Sequence, residues 1–258
     1  MDIIKSKMVR DINRKLHIYM NYYSQSLPDR IGSQIHDNLS AYAFCYKSKY
    51  SYSGSISKSS CDAHKHQRLC TLLGLPFIIN DTSLNNLEFL KKENYKHLTH
   101  DGGNPNQVFT EDFRKMLSSN LRFERLKFNQ FTVVVHIRRG DILHMESRFL
   151  PNEHYLKILK KIRSVKADSK IIICSEYNFQ DDTKEFSQLN CAFAINTNLE
   201  DTWKLMISAD IFIMSKSSFS YVPAVFNNNK VIYTEMWHKK LDNWISHNDP
   251  NLIKLLEL

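Results

Sequence analysis

Between residues 131 and 233 the chain alternates short apolar runs with amphipathic segments, and this alternation limits the fold more than any other feature. The runs cover residues 131–135, 170–174, 192–195, 211–214 and 230–233, and most are rich in Val and Ile. Continuous apolar runs of this kind read as strands buried on both faces. Helical segments separate them. One opens near Pro151 and carries Tyr155, Leu156, Ile158, Leu159 and Ile162; others span 181–189 and 201–209, and a helix starts over 221–226. Proline suits a first helical turn because its missing N–H has no partner there anyway. Strands alternating with helices predict the α/β class with a parallel, doubly wound sheet.

The first run leads directly into His136-Ile137-Arg138-Arg139-Gly140-Asp141. In an open α/β sheet, ligands bind beyond the carboxyl ends of the strands. Two guanidinium groups there place positive charge where a ligand would sit, and Arg grips phosphate in a bidentate fork. The bland alternative is an ion-pair network closing a core strand. Two further strand ends are polar: Ser175-Glu176, and Ser217-Ser218-Phe219-Ser220. A parallel sheet brings all three ends to one edge. A serine-rich turn at a helix start offers hydroxyls and backbone N–H groups to phosphate, although alone it reads equally well as a helix cap.

The first half is less regular. Residues 15–23 read as a strand. Residues 30–34, with Gly32 and Gln34, read as a turn leading into a helix through Phe44. Residues 47–60 are rich in Ser, Lys and Tyr and read as a loop. Residues 62–73 read as a helix ended by Gly74, 75–79 as a second strand, and 87–97 as an amphipathic helix. Thr110 caps one more helix, and 97–128 is the expected crossing between two lobes. His64 and His66 lie two apart, so on a helix they do not share a face, which argues against a metal site.

The chain has 258 residues, 42% of them hydrophobic and 12% aromatic, enough for a sizeable core. Its formal net charge of +8 favours an anionic ligand. The basic residues are spread without a run of five, which argues against nucleic acid. Five cysteines with irregular spacing suggest neither a disulfide framework nor a zinc site. No apolar run reaches the ~20 residues of a membrane helix, and charge interrupts the first residues too early for a signal peptide. These features lead to the expectation of a cytoplasmic protein without an integral membrane segment.

The segment His136 to Asp141 resembles the His-x-Arg-Arg-x-Asp signature of the superfamily of α1,2-, α1,6- and protein O-fucosyltransferases. Gly32-Ser33-Gln34-Ile35-His36 resembles the Gly-x-Gln turn of their first lobe. Glu200-Asp201, Leu205-Met206 and Ser217 to Ser220 resemble their C-terminal motif in order and spacing. The stretch from His136 through Glu146 to Tyr155 is similar to the α1,6 branch. Residues 30–34 and the Ser-Ser-Phe-Ser segment are as similar to the α1,2 branch.

The resemblance implies a GT-B-like fold: two Rossmann-like lobes facing across a cleft, residues 1–128 on the acceptor side and 129–258 binding the nucleotide sugar. It implies metal-independent, inverting transfer of fucose from GDP-fucose to a glycan hydroxyl. The partners are then a nucleotide-sugar donor and a glycan acceptor, with no cofactor required. Other donors, or a non-catalytic basic module for glycans or nucleic acid, remain as alternatives. There is no Asp-x-Asp motif after a strand, so fixed guanidinium groups would neutralise the leaving diphosphate. On this account Arg138 chiefly meets the β-phosphate, with Arg139 supporting it or the cleft wall. Ser218, Phe219 and Ser220 complete the diphosphate site, His136 and Asp201 hold guanine and ribose, and Gly32, Gln34 and Ser175 line the donor. Asp141 orients the Arg pair. Glu146 falls where the α1,6 branch carries its catalytic base, with Asp141, His144 and Glu176 as the other candidates.

Overall fold

The computed structural model describes residues 21–26, 29–57, 63–79, 84, 87–100, 102–142, 145–176 and 183–257. The chain divides into two compact units, Met1–Arg122 and Phe123–Leu258. Each unit carries a parallel sheet flanked by helices, so the chain is α/β with two Rossmann-like lobes.

The first unit contains β1 (Asn21–Ser26), α1 (Ile31–Ser48), β2 (Ser51–Ser57), α2 (Ala63–Leu73), β3 (Glu88–Phe89), α3 (Glu93–Thr99) and α4 (Glu111–Asn120). Its sheet has the order β2-β1-β3, all parallel. Several expectations for this half need correction. β1 runs to Ser26, beyond the expected end at Tyr23, and residues 15–20 lie outside the described residues. Gly32 and Gln34 sit within the first turn of α1 rather than in a preceding turn. Residues 51–57 form β2, not a loop. The strand forms because its polar side chains are bonded by neighbours: the Ser24 and Tyr52 hydroxyls lie 2.6 Å apart, and those of Ser26 and Ser55 2.8 Å apart. The expected strand at 75–79 is reduced to one bridge, Phe77 to Ser55. Residues 87–97 split into the short β3 and α3. Two expectations hold: Gly74, at φ +63°, follows α2, and Thr110 Oγ1 accepts from the Phe113 N–H at the start of α4.

The second unit contains β4 (Thr132–His136), α5 (Asn152–Val165), β5 (Lys170–Ser175), α6 (Thr183–Phe186), β6 (Cys191–Ile195), α7 (Leu199–Ser208), β7 (Ile211–Ile213), α8 (Ser218–Phe226), β8 (Lys230–Tyr233), β9 (Ile245–Ser246) and α9 (Leu252–Glu257). β9 and α9 carry too little pattern to be anticipated. The sheet order is β6-β5-β4-β7-β8-β9, all parallel. Successive strands run from β4 outward to β6, and the chain then returns to place β7 on the other side of β4. The β4/β7 boundary is therefore the topological switch point, where α/β sheets open a crevice for ligands.

Alternate residues of β4 serve different layers, because side chains in a strand alternate between faces. Val133, Val135 and Ile137 join one core with Tyr155, Ile158, Leu159 and Ile162 of α5 and Leu252 and Leu256 of α9. His136, of the opposite parity, meets α8 on the other face. Among the described residues no helix is long and apolar enough to cross a membrane.

Candidate donor site

The alternation that builds the core also separates the two arginines. Beyond β4 the chain stays extended for one more residue, with the Ile137 N–H donating to the Cys174 carbonyl at 2.9 Å. Arg138 thus shares the face of His136, and Arg139 the face of Ile137.

On the α8 face, Arg138 Nη2 lies 3.3 Å from an Asp141 carboxylate oxygen, and Nη1 lies 3.5 Å from the Ser217 hydroxyl. Ser217 caps α8, its Oγ accepting from the Phe219 N–H at 3.1 Å. The guanidinium is therefore held at the positive end of a helix, an arrangement suited to an anion. His136 is buried beside it. Its Nδ1 lies 2.5 Å from the Ser220 hydroxyl and 2.9 Å from that of Ser215, and its ring packs on Phe219 at 5.3 Å. Burial, with Arg138 adding to it, pushes its pKa down to about 3, so the imidazole is neutral at physiological pH. Ser215, which sequence reasoning did not assign to the site, lies like His136 at the C-terminal end of a buried strand run, two residues beyond β7.

On the α5 face, Arg139 is almost fully buried. Its Nη1 donates to the Arg138 carbonyl at 2.9 Å and the Leu150 carbonyl at 3.2 Å, its Nη2 donates to Asn152 Oδ1, and its guanidinium lies over Phe149. Arg139 braces the loop between β4 and α5, and Arg138 alone stands with the α8 start.

Gly140 takes φ +72°, and a Cβ there would lie 2.2 Å from Glu176 Oε2. The positive φ is what favours glycine at this position, since the close atom is the mobile end of the Glu176 side chain. The Ser175 hydroxyl donates to the Ile137 carbonyl at 2.6 Å and tethers the two strand ends. Ser220 is fully buried against His136 and supports it from the interior. Asp201 lies exposed in the first turn of α7. Asn198 and Lys204 both bond it, and these bonds hold its carboxyl below the usual range.

Glu146 lies exposed in the turn after Met145. Its neighbours tie that turn to the α8 side. The Ser147 carbonyl accepts from Lys216 Nζ at 3.5 Å, and the Arg148 guanidinium lies 5.0 Å from the Trp237 ring centre. His144 lies outside the described residues.

Gly32 and Gln34 belong to the first unit. The Gln34 amide donates to the Asp29 carbonyl at 2.6 Å and accepts from the Ser57 hydroxyl at 2.9 Å. These bonds tie the ends of β1 and β2 to the start of α1, so Gln34 does structural work there. One group among the described residues has metal-ligand chemistry: His36, Asp37 and His100, also in the first unit. The Lys92 ammonium lies 2.8 Å from Asp37 and His100 Nε2 lies 2.9 Å from it. The carboxylate already has the Lys92 cation beside it, and the His36 and His100 rings pack on each other at 4.6 Å, so the group is a buried polar cluster.

Residues 84–251, well over half of the chain, match the model of glycosyl transferase family 11. No curated protein matches the sequence. Among solved structures, the E. coli heptosyltransferase WaaC with ADP is similar at 10% identity and a TM-score of 0.48, over 88% of this chain and 92% of that one. POFUT1 in complex with GDP is similar at 9% identity and a TM-score of 0.46, over 89% and 98%. E. coli ADP-heptose LPS heptosyltransferase II follows at 12% identity and a TM-score of 0.42, over 92% and 97%.

Proposed function

The chain belongs to glycosyl transferase family 11, and from that membership we propose that it transfers fucose from GDP-fucose to a glycan hydroxyl, with inversion and without a metal ion. The linkage we propose is α1,2, the type of this family. The observation that carries the reading is the meeting of Arg138, neutral His136 and the capped start of α8 at the switch point of the second unit's sheet. As the glycosidic bond breaks, the leaving diphosphate gains negative charge. A guanidinium already held by Asp141 and Ser217 meets that charge without reorganising, which is the source of its advantage over water. The neutral His136, fixed through Nδ1, offers the uncharged nucleoside an uncharged neighbour. Glu146 takes the acceptor proton as the new bond forms.

Thermal-shift screening tests the donor, because a ligand that binds only the folded state raises apparent stability. GDP is expected to stabilise the protein, and UDP and ADP are not. Incubation with GDP-fucose on a glycan array is expected to give fucosylated product that survives exhaustive EDTA treatment. Stabilisation by UDP or ADP alone, or loss of product on chelation with recovery on adding manganese, would overturn the reading.

A further inference from the structure

Ser218 meets two residues that the sequence motifs do not contain, His238 and Trp237. The Ser218 hydroxyl lies 2.9 Å from His238 Nε2, and the Trp237 indole N–H donates to the same nitrogen at 3.0 Å. An indole nitrogen can only donate, so Nε2 carries no proton and acts as the acceptor. The Ser218 hydroxyl must then donate as well, and two donors share one lone pair.

The surroundings hold this geometry firmly. The Tyr233 hydroxyl donates to the His238 carbonyl at 2.6 Å and accepts from the Met236 N–H at 3.1 Å. The Tyr221 hydroxyl donates to the Lys239 carbonyl at 2.8 Å, and its ring packs on the imidazole at 5.1 Å. A segment without regular secondary structure is thereby locked so that His238 faces the first residue of α8.

We propose that Ser218 is a stored donor for the diphosphate and that His238 and Trp237 are its positioning residues. The inference rests on the donor site proposed above. With no ligand, the hydroxyl rests on Nε2. A phosphate oxygen at the α8 start accepts that hydrogen instead, and the Trp237 N–H then keeps Nε2 satisfied alone. The hydroxyl is released at little cost because its acceptor is never left bare, which matters since an orphaned buried acceptor is expensive.

The test uses the full chain, GDP as the probe, and the tryptophan indole N–H resonances, with Trp237 assigned through Trp237→Phe. GDP is expected to shift the Trp237 resonance as that N–H becomes the only donor to His238. In Ser218→Ala the resonance is expected near its GDP-bound position before any GDP is added, and to stay there, while GDP binds about tenfold more weakly. His238→Gln retains an acceptor and is expected to bind GDP better than His238→Leu. If native protein binds GDP with the Trp237 resonance unmoved, or Ser218→Ala binds as tightly as the native chain, this inference is wrong and the donor reading stands. If native protein does not bind GDP, both are overturned.

Discussion

At the scale of single residues, the two arginines of one motif have opposite surroundings and call for opposite experiments. Arg138 stands at the polar end of the strand with Asp141 and Ser217, so replacing it removes charge from the site and leaves the core intact. Arg138→Ala is expected to fold while transfer falls by about 10²–10³-fold, the loss typical of one preorganised electrostatic group. Lys at this position should rescue little, since an ammonium lacks the planar fork. Near-normal turnover by a folded Arg138→Ala protein would remove Arg138 from the mechanism. Glu146 is exposed on a turn anchored through Ser147 and Arg148. Glu146→Gln keeps the shape but cannot accept a proton, so GDP-fucose binding should persist while transfer falls by roughly 10²-fold or more. Unchanged turnover would pass the role to His144, Glu176 or a residue of the first unit.

At the scale of elements, the loop joining β4 to α5 is organised from inside by Arg139. Its guanidinium serves the Arg138 and Leu150 carbonyls and Asn152 together. Arg139→Met fills similar volume but leaves those acceptors buried without a donor, which costs roughly 1–3 kcal/mol for each group. We expect a clear loss of stability in chemical denaturation, with the GDP affinity of the remaining folded protein close to native. A variant of native stability that has lost GDP binding would show that Arg139 meets the ligand directly. The same loop turns at Gly140, whose positive φ disfavours any side chain there. The loop is therefore fixed at its β4 end by the turn at Gly140 and at its α5 end by the bonds of Arg139 to Leu150 and Asn152.

At the scale of the whole molecule, both units bury imidazoles in the neutral form. Burial pushes His66 down to about 4. Burial and Arg138 push His136 to about 3, and burial with His247, Lys216 and Lys157 pushes His154 to about 4. In the unfolded chain these side chains titrate near ~6.5. Between that pH and the folded values, the unfolded state binds protons that the native state refuses, so stability rises with pH across the window. The stabilisation is fully present above about 6.5 and is lost as pH falls toward the folded values. Denaturation midpoints should therefore drop steadily from pH 7 to pH 4.5. The exposed carboxylates Glu111, Glu153 and Asp201 titrate mainly below this window. A flat profile across it would mean that these histidines are protonated in the native protein.

The local pattern of residues 131–233 was enough to give the class and the parallel sheet, because strand and helix periods and their break points are properties of neighbouring residues. It also located a charged strand end and a serine-rich helix start, and it supported the family resemblance. It did not assign the faces of the sheet. That His136 and Arg138 meet α8 while Arg139 turns to α5 follows from the alternation of β4 only once the layers on its two sides are known. Those layers depend on the strand order and on crossovers of many residues. The same limit hid β2, whose serines and tyrosines look like a loop until β1 supplies their hydrogen-bond partners. It hid the structural use of Gln34, whose amide is held by residues before and after α1. It also hid His238, which meets Ser218 from twenty residues further on only because the chain returns through β8. Periodicity is written in adjacent side chains, whereas hydrogen-bond partners across a parallel sheet are brought together by packing alone.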